Sequence, residues 1–259
     1  MTFKQATWDY VQNTATATTN WGDIGDWDTS GVKDFSHAFS QERDMTGGSY
    51  VSDGNPKAAE FVFTAISKWI TTSVTSLEGT FRGASKLNAD LSKWSVAKVT
   101  TMRETFSYAF EFTGAGLASW DTAGVTSLIL TFGKAGEMNS DLSKWKTAQV
   151  VMLKNTFKSA SKFTGAGVDL WDVSKVTDMD STFSAATSLT ACSKRKIADA
   201  WKSNSAFTDT NYDTDWADEI CVLVLPAKEV KVRGYSDDEG ACCRRGICLV
   251  QNLSVCLFI

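Results

Sequence analysis

The side chains that could run a reaction are few and scattered. Catalysis of the Ser-His-Asp or Cys-His kind needs an imidazole, and the only histidine is His37, with no nucleophile motif near it. Its place two residues before Phe39 predicts an exposed structural residue on the solvated side of its segment. The glycine-rich run "FTGAG" begins at Phe112 and again at Phe163, but neither copy continues into the G-K-[ST] that would reach phosphates and magnesium. The carboxylate pairs Asp178/Asp180 and Asp213/Asp215 read as solvated surface rather than as an acid and base flanking a substrate. The segment "CCRRGIC", with Cys242, Cys243 and Cys248, does not supply the paired spacing of a zinc site. The expectation is a protein without catalytic residues, cofactor or metal.

Charge narrows the partners. With 26 basic and 30 acidic residues the net charge is -4, so there is no basic footprint for nucleic acid and no polybasic anchor. No apolar run approaches the roughly 18 to 20 residues of a membrane span. The N-terminus lacks the apolar core of a secretory signal, so either the protein is intracellular or the chain lacks the start of its precursor. A monomer is expected.

What positions these residues is an internal repeat. Trp69, Trp94, Trp120, Trp145 and Trp171 follow one another at 25 or 26 residues, a period that signals stacked units unable to bury their apolar faces alone. Five residues after each Trp, counting from Trp27, stands Val32, Val74, Val99, Val125, Val150 or Val176. A Phe then recurs at 39, 81, 106, 132, 157 and 183, with Ala84, Ala109, Ala135, Ala160 and Ala186 three residues after the last five. The spacing of Met102, Phe106 and Ala109 predicts a short helix with one apolar face. The residue two after each Trp is β-branched, which predicts a short strand pairing in parallel with its neighbours, and indoles stacked at about 4.8 Å. The turn before each Trp alternates between "LNADLSKW" and "FTGAGLASW" versions, with glycines accommodating the extra residue.

The fold expectation is therefore an α/β solenoid of about six repeats, each a short parallel strand plus a short helix, with helical caps. Residues 1–20 form the N-terminal cap, with Phe3, Thr7 and Tyr10 or Val11 on one helical face. Residues 21–190 form the repeats, broken by an insertion at 47–65 that is either a structural elaboration or a binding loop. A cap occupies 191–221, with Ile197 and Trp201 on one helix face, and a cysteine-containing, flexible tail occupies 222–259.

The pattern W-[DS]-V-[SA]-K-V-T-x-M-x-x-x-F-x-x-A, fullest at Trp94 to Ala109 and Trp171 to Ala186, resembles the repeat of BspA-like surface proteins. That repeat also occurs in mycoplasma surface lipoproteins and is usually grouped with the leucine-rich repeats. The resemblance spans roughly residues 20 to 190. It implies that the α/β solenoid is leucine-rich-repeat-like, with surface, adhesion or protein-binding roles and an extracellular or cell-surface location, and it supplies no catalytic residues. Similar members end in a comparable cap, which implies a disulfide between Cys192 and Cys221; two buried thiols in a reducing compartment are the alternative.

The functional expectation is a repeat scaffold for a protein or glycan partner. Its candidate surface is the stripe directly after each Trp: Asp28, Ile70, Ser95, Asp121, Lys146 and Asp172. The alternatives are a flat binder such as an ice-binding solenoid, or an enzyme with an unrecognised site. For the flat binder, the threonine column Thr75, Thr100, Thr126 and Thr177 is interrupted by Lys33 and Val151.

Overall fold

The computed structural model describes residues 2–47 and 54–221; the tail at 222–259, with Cys242, Cys243, Cys248 and Cys256, lies outside them. The expected strand-plus-helix repeat is not what forms. Among the described residues there is no β-strand longer than an isolated bridge, and the repeats contain no α-helix. Each unit is a coil of consecutive turns, joined to the next by one parallel bridge in the series Asp34, Ser76, Thr101, Ser127, Met152 and Asp178. An α/β, leucine-rich-repeat architecture is thereby ruled out.

The hydrogen bonds of the third repeat explain why. The N–H groups of Thr105, Ser107 and Ala109 close turns onto the carbonyls of Met102, Glu104 and Phe106 at 3.1 to 3.2 Å. Those of Met102, Glu104, Phe106 and Tyr108 instead donate to Ser127, Ile129, Thr131 and Gly133 of the next repeat at 2.8 to 3.0 Å. Donors thus alternate between closing a turn and crossing to the next layer. Such alternation requires left-handed residues, and Glu104 (φ 57°) and Tyr108 (φ 60°) supply them, as Leu130, Lys134, Asn155 and Ser159 do in the following repeats. A right-handed helix has no place for those angles. The residue two after Trp likewise opens a turn, since Val99 N–H returns to Val96 and Val125 N–H to Thr122.

The apolar columns are nonetheless buried as their spacing demands. Met102, Phe106 and Ala109 are fully buried at turn corners. Phe39, Phe81, Phe106, Phe132, Phe157 and Phe183 form one continuous stack at 5.5 to 5.8 Å. The indole pairs Trp69–Trp94, Trp120–Trp145 and Trp145–Trp171 are parallel within 7°, with centroids 6.0 to 6.4 Å apart. That is wider than the 4.8 Å expected of a strand ladder.

Each indole N–H is also tied to the layer behind it. Trp69, Trp94, Trp120, Trp145 and Trp171 donate to the carbonyls of Ile24, Ile66, Leu91, Leu117 and Leu142 at 2.6 to 3.2 Å. A buried threonine column, Thr80, Thr105, Thr131, Thr156 and Thr182, sits one residue before each Phe and bonds a carbonyl of the preceding repeat at 2.9 to 3.0 Å. Buried polar atoms placed in this way are satisfied, and they lock the register between layers.

Two caps end the stack. Helix α1 (Phe3–Gln12) buries Ala6, Thr7, Tyr10 and Val11, and the Thr-rich stretch forms α2 (Thr14–Trp21). The chain leaves the first coil after Gln41 and returns at Asn55, whose N–H donates to the Gln41 carbonyl at 2.8 Å. The returning segment is core, with Ala58, Phe63 and Ile66 buried. Arg43, on the outgoing limb, is fully buried and donates to the carbonyls of Ala38 (2.8 Å) and Lys4 (2.6 Å), joining the first coil to α1.

At the other end lie α3 (Ala191–Trp201), α4 (Ser205–Thr208) and α5 (Tyr212–Asp215). Tyr212 offers its hydroxyl to the Phe183 N–H, in place of a seventh repeat. Asn204 donates to the carbonyls of Val173 and Val176. Cys192 and Cys221 are disulfide-bonded across 29 residues, closing this cap.

Gly116 (φ 91°) tests the stacking. A Cβ there would lie 2.1 Å from the Ser92 backbone nitrogen, and Gly167 stands in the same relation to Ser143. Gly116→Ala should cost about 2 to 4 kcal/mol in urea unfolding, because both the backbone angle and the interlayer distance oppose a side chain. Cys192→Ser should cost about 3 to 4 kcal/mol in the chain-entropy account, measured under non-reducing conditions.

Candidate functional site

The stripe after the tryptophans is built by its neighbours. In most repeats Trp and the residue two after it are buried, and the residue between them is more exposed than either. Asp28, Ile70, Asp121, Lys146 and Asp172 are exposed, and Ser95 is half-buried. Buried threonines hold successive positions side by side. The Thr29 hydroxyl donates to the Ile70 carbonyl at 2.9 Å, Thr71 to Ser95 at 3.0 Å, Thr122 to Lys146 at 3.1 Å and Thr147 to Asp172 at 3.0 Å. The backbone under the stripe is thus tied from layer to layer, while its outward side chains differ from repeat to repeat.

Its electrostatics are mixed. Hydrogen bonding to Ser30 and Ser174, first to their side chains and then to their N–H groups at 2.9 Å, holds the Asp28 and Asp172 carboxyls below the usual range. Asp121 is lowered first by Lys146, 3.1 Å away, and then by the Ala123 N–H. The stripe thus presents Asp28, the exposed aliphatic Ile70, a paired Asp121 and Lys146, and Asp172. Among the described residues no three His, Cys, Asp or Glu side chains come together as a metal-ligand set.

Sequence reading missed an ionic network on another face. Arg82 grips Glu42 with two nitrogens at 2.9 and 3.0 Å and reaches Glu104 with the third at 2.6 Å. Arg103 meets the other Glu104 oxygen at 2.8 Å. The Glu104 carboxylate is only 3% exposed, so the network fastens the first three repeats together. Arg82 and Lys134 also lie over the Tyr108 ring at 5.2 and 4.5 Å. No column announced these contacts, because each charged residue occurs in one repeat only.

His37 departs from expectation. It is buried, at 6% exposure, rather than solvated, and its ring occupies the space a Cβ on Gly79 would need. Its own φ is 55°, a left-handed corner like that of Glu104. Burial, then the charges of Lys4 and Arg82, lower its pKa from 6.5 to about 4. The unfolded chain takes up this proton below pH 6.5 while the folded chain resists until about pH 4, so stability is lost as pH falls through that window. Between pH 7 and pH 5 the loss should be about 2 kcal/mol. His37→Asn, which tolerates the positive φ, should remove most of that slope in urea unfolding at pH 7, 6 and 5.

Comparison with known proteins gives one answer. No curated protein and no solved structure matches the chain. A family profile described as "Mycoplasma protein of unknown function, DUF285" matches three stretches, residues 8–53, 55–116 and 111–216, which together take in all six coils and most of both caps. The matched stretches cover well over half of the 259 residues and coincide with the part that repeats, so the chain belongs to this DUF285 family.

Proposed function

We propose that the chain is a non-enzymatic repeat scaffold that binds a protein or glycan partner along the stripe from Asp28 to Asp172. The observation that carries this reading is the division of labour within each coil. Trp and the β-branched residue are committed to the core and to interlayer hydrogen bonds, whereas the residue between them is outward and free to differ from repeat to repeat. Extended surfaces of this kind are how stacked repeats bind. The BspA-like resemblance of the Trp94 and Trp171 units supports a surface or adhesion role. The disulfide between Cys192 and Cys221 suits an oxidising compartment. Among the described residues no helix is long and apolar enough to cross a membrane.

The flat-surface alternative gains nothing. The exposed hydroxyls of Thr75, Thr100, Thr126 and Thr177 donate along their own column, to the carbonyls of Lys33, Thr75, Thr100 and Val151. Lys33 and Val151 interrupt the grid.

The test is affinity capture from a cell-surface extract with the immobilised chain, against a variant carrying Ile70→Asp and Lys146→Glu. Both positions are exposed, so the variant should fold, and circular dichroism checks that it does. A partner held by the wild type should be retained at least about ten-fold less by the variant. Equal retention would remove the stripe as the binding surface.

A further inference from the structure

The two ends of the tryptophan stack are finished differently. At the C-terminal end Trp201 of α3 continues the stack over Trp171, with centroids 6.5 Å apart, and Trp171 is 4% exposed. At the N-terminal end no indole among the described residues continues the stack beyond Trp27. One face of Trp27 lies on Trp69 at 6.1 Å, and Tyr10 of α1 meets it edge-on at 5.7 Å. Trp27 is consequently half-buried, unlike Trp69, Trp94, Trp120, Trp145 and Trp171. Beside it opens a cleft of about 470 Å³ whose lining includes Phe3, Trp21, Trp27, Val32, Asp26 and Asp28. A volume of that order accommodates a small ligand or one or two rings of a longer one.

We propose that this cleft is a saccharide-binding subsite, taking uncharged hexopyranose units of a glycan. The proposal deepens the scaffold reading and rests on it, since Asp28 belongs to both the cleft and the stripe. Two indoles line the cleft with their polar edges already tied down. Trp21 donates to the Asp9 carboxylate at 3.1 Å, and Trp27 to the Gly22 carbonyl at 3.4 Å. Their remaining exposed surface is an amphipathic, fixed platform of the kind that receives the C–H face of a sugar at little ordering cost. Asp26 and Asp28 supply acceptors for hydroxyl donors at the rim.

Shape favours a sugar over a cation. Asp26 has Lys68 at 4.0 Å and Asp28 accepts the Ser30 N–H, and both remain ionised, so a cationic control separates the two ligand classes by charge. The cleft is open to solvent, which suits a ring lying flat, whereas an ammonium is held best by aromatic faces that enclose it. Exposed Ile70 adjoins the cleft, because the Thr29 hydroxyl ties the Ile70 carbonyl to the wall. A glycan longer than the cleft would therefore run onto the stripe.

The test uses the full chain with cellotetraose, laminaritetraose and mannotetraose as probes, and choline as the cationic control, read by saturation-transfer NMR and calorimetry. At least one tetrasaccharide should bind. Trp21→Ala, Asp26→Ala and Asp28→Asn should each weaken it at least ten-fold, and Phe110→Ala, on an exposed residue of another face, should leave it unchanged. Asp26→Ala and Asp28→Asn alter exposed side chains, so they remain informative if Trp21→Ala fails to fold. Binding of none of the three sugars, binding of choline in their place, or sugar binding untouched by all three cleft variants would overturn the proposal. In any of those cases a partner still lost on changing Ile70 and Lys146 would leave the scaffold reading standing.

Discussion

The architecture depends on how each coil divides its backbone N–H groups. One set closes turns within the layer and the alternate set crosses to the next, as Thr105 and Met102 do, and neither a helix nor a strand permits that division. The cost is a series of left-handed residues, most of them without the freedom of glycine. Repetition offsets that cost. Every strained corner stands against an identical corner in the adjacent layer, and the bonds crossing between them hold the angles in place.

Aromatic packing makes such a coil stable without regular secondary structure. Two columns, one of Phe and one of Trp, run through the layers, and the indole N–H groups and buried threonine hydroxyls act as polar pins between them. In this setting Trp cannot be exchanged for Phe without orphaning a buried carbonyl, at a cost of about 1 to 3 kcal/mol. The same logic dictates the ends. A stack has unpaired bonds at both faces, and Arg43 at one end and Tyr212 and Asn204 at the other supply what a further coil would have supplied.

Functional capacity then falls where the repeat leaves side chains uncommitted. The stripe is one such place, because burial on either side turns its residues outward while buried threonines fix their spacing. The cleft beside Trp27 is the other, because the N-terminal cap does not extend the indole stack as Trp201 does. Both are places where a stack of layers presents side chains of fixed spacing and differing chemistry.

Read alone, the residues disclosed the repeat, its period and its buried columns, since periodic burial needs only periodic side chains. Val, Phe, Trp and Ala face inward in the structure at the positions their spacing assigns. The stripe is read from its place between the Trp and β-branched columns, and in the structure Asp28, Ile70, Asp121, Lys146 and Asp172 are exposed while Ser95 is half-buried. What spacing left undetermined was the backbone that carries it. Met102, Phe106 and Ala109 satisfy a helical interval and also lie at successive corners of a coil of turns, and a period of four and three does not tell the two apart. The choice was made between layers, where N–H groups that a helix would use internally find carbonyls in the next repeat. The burial of His37, the seating of Arg43 and the meeting of Arg82, Glu42 and Glu104 were decided there as well. Each depends on residues some 20 to 40 positions apart that only stacking brings together.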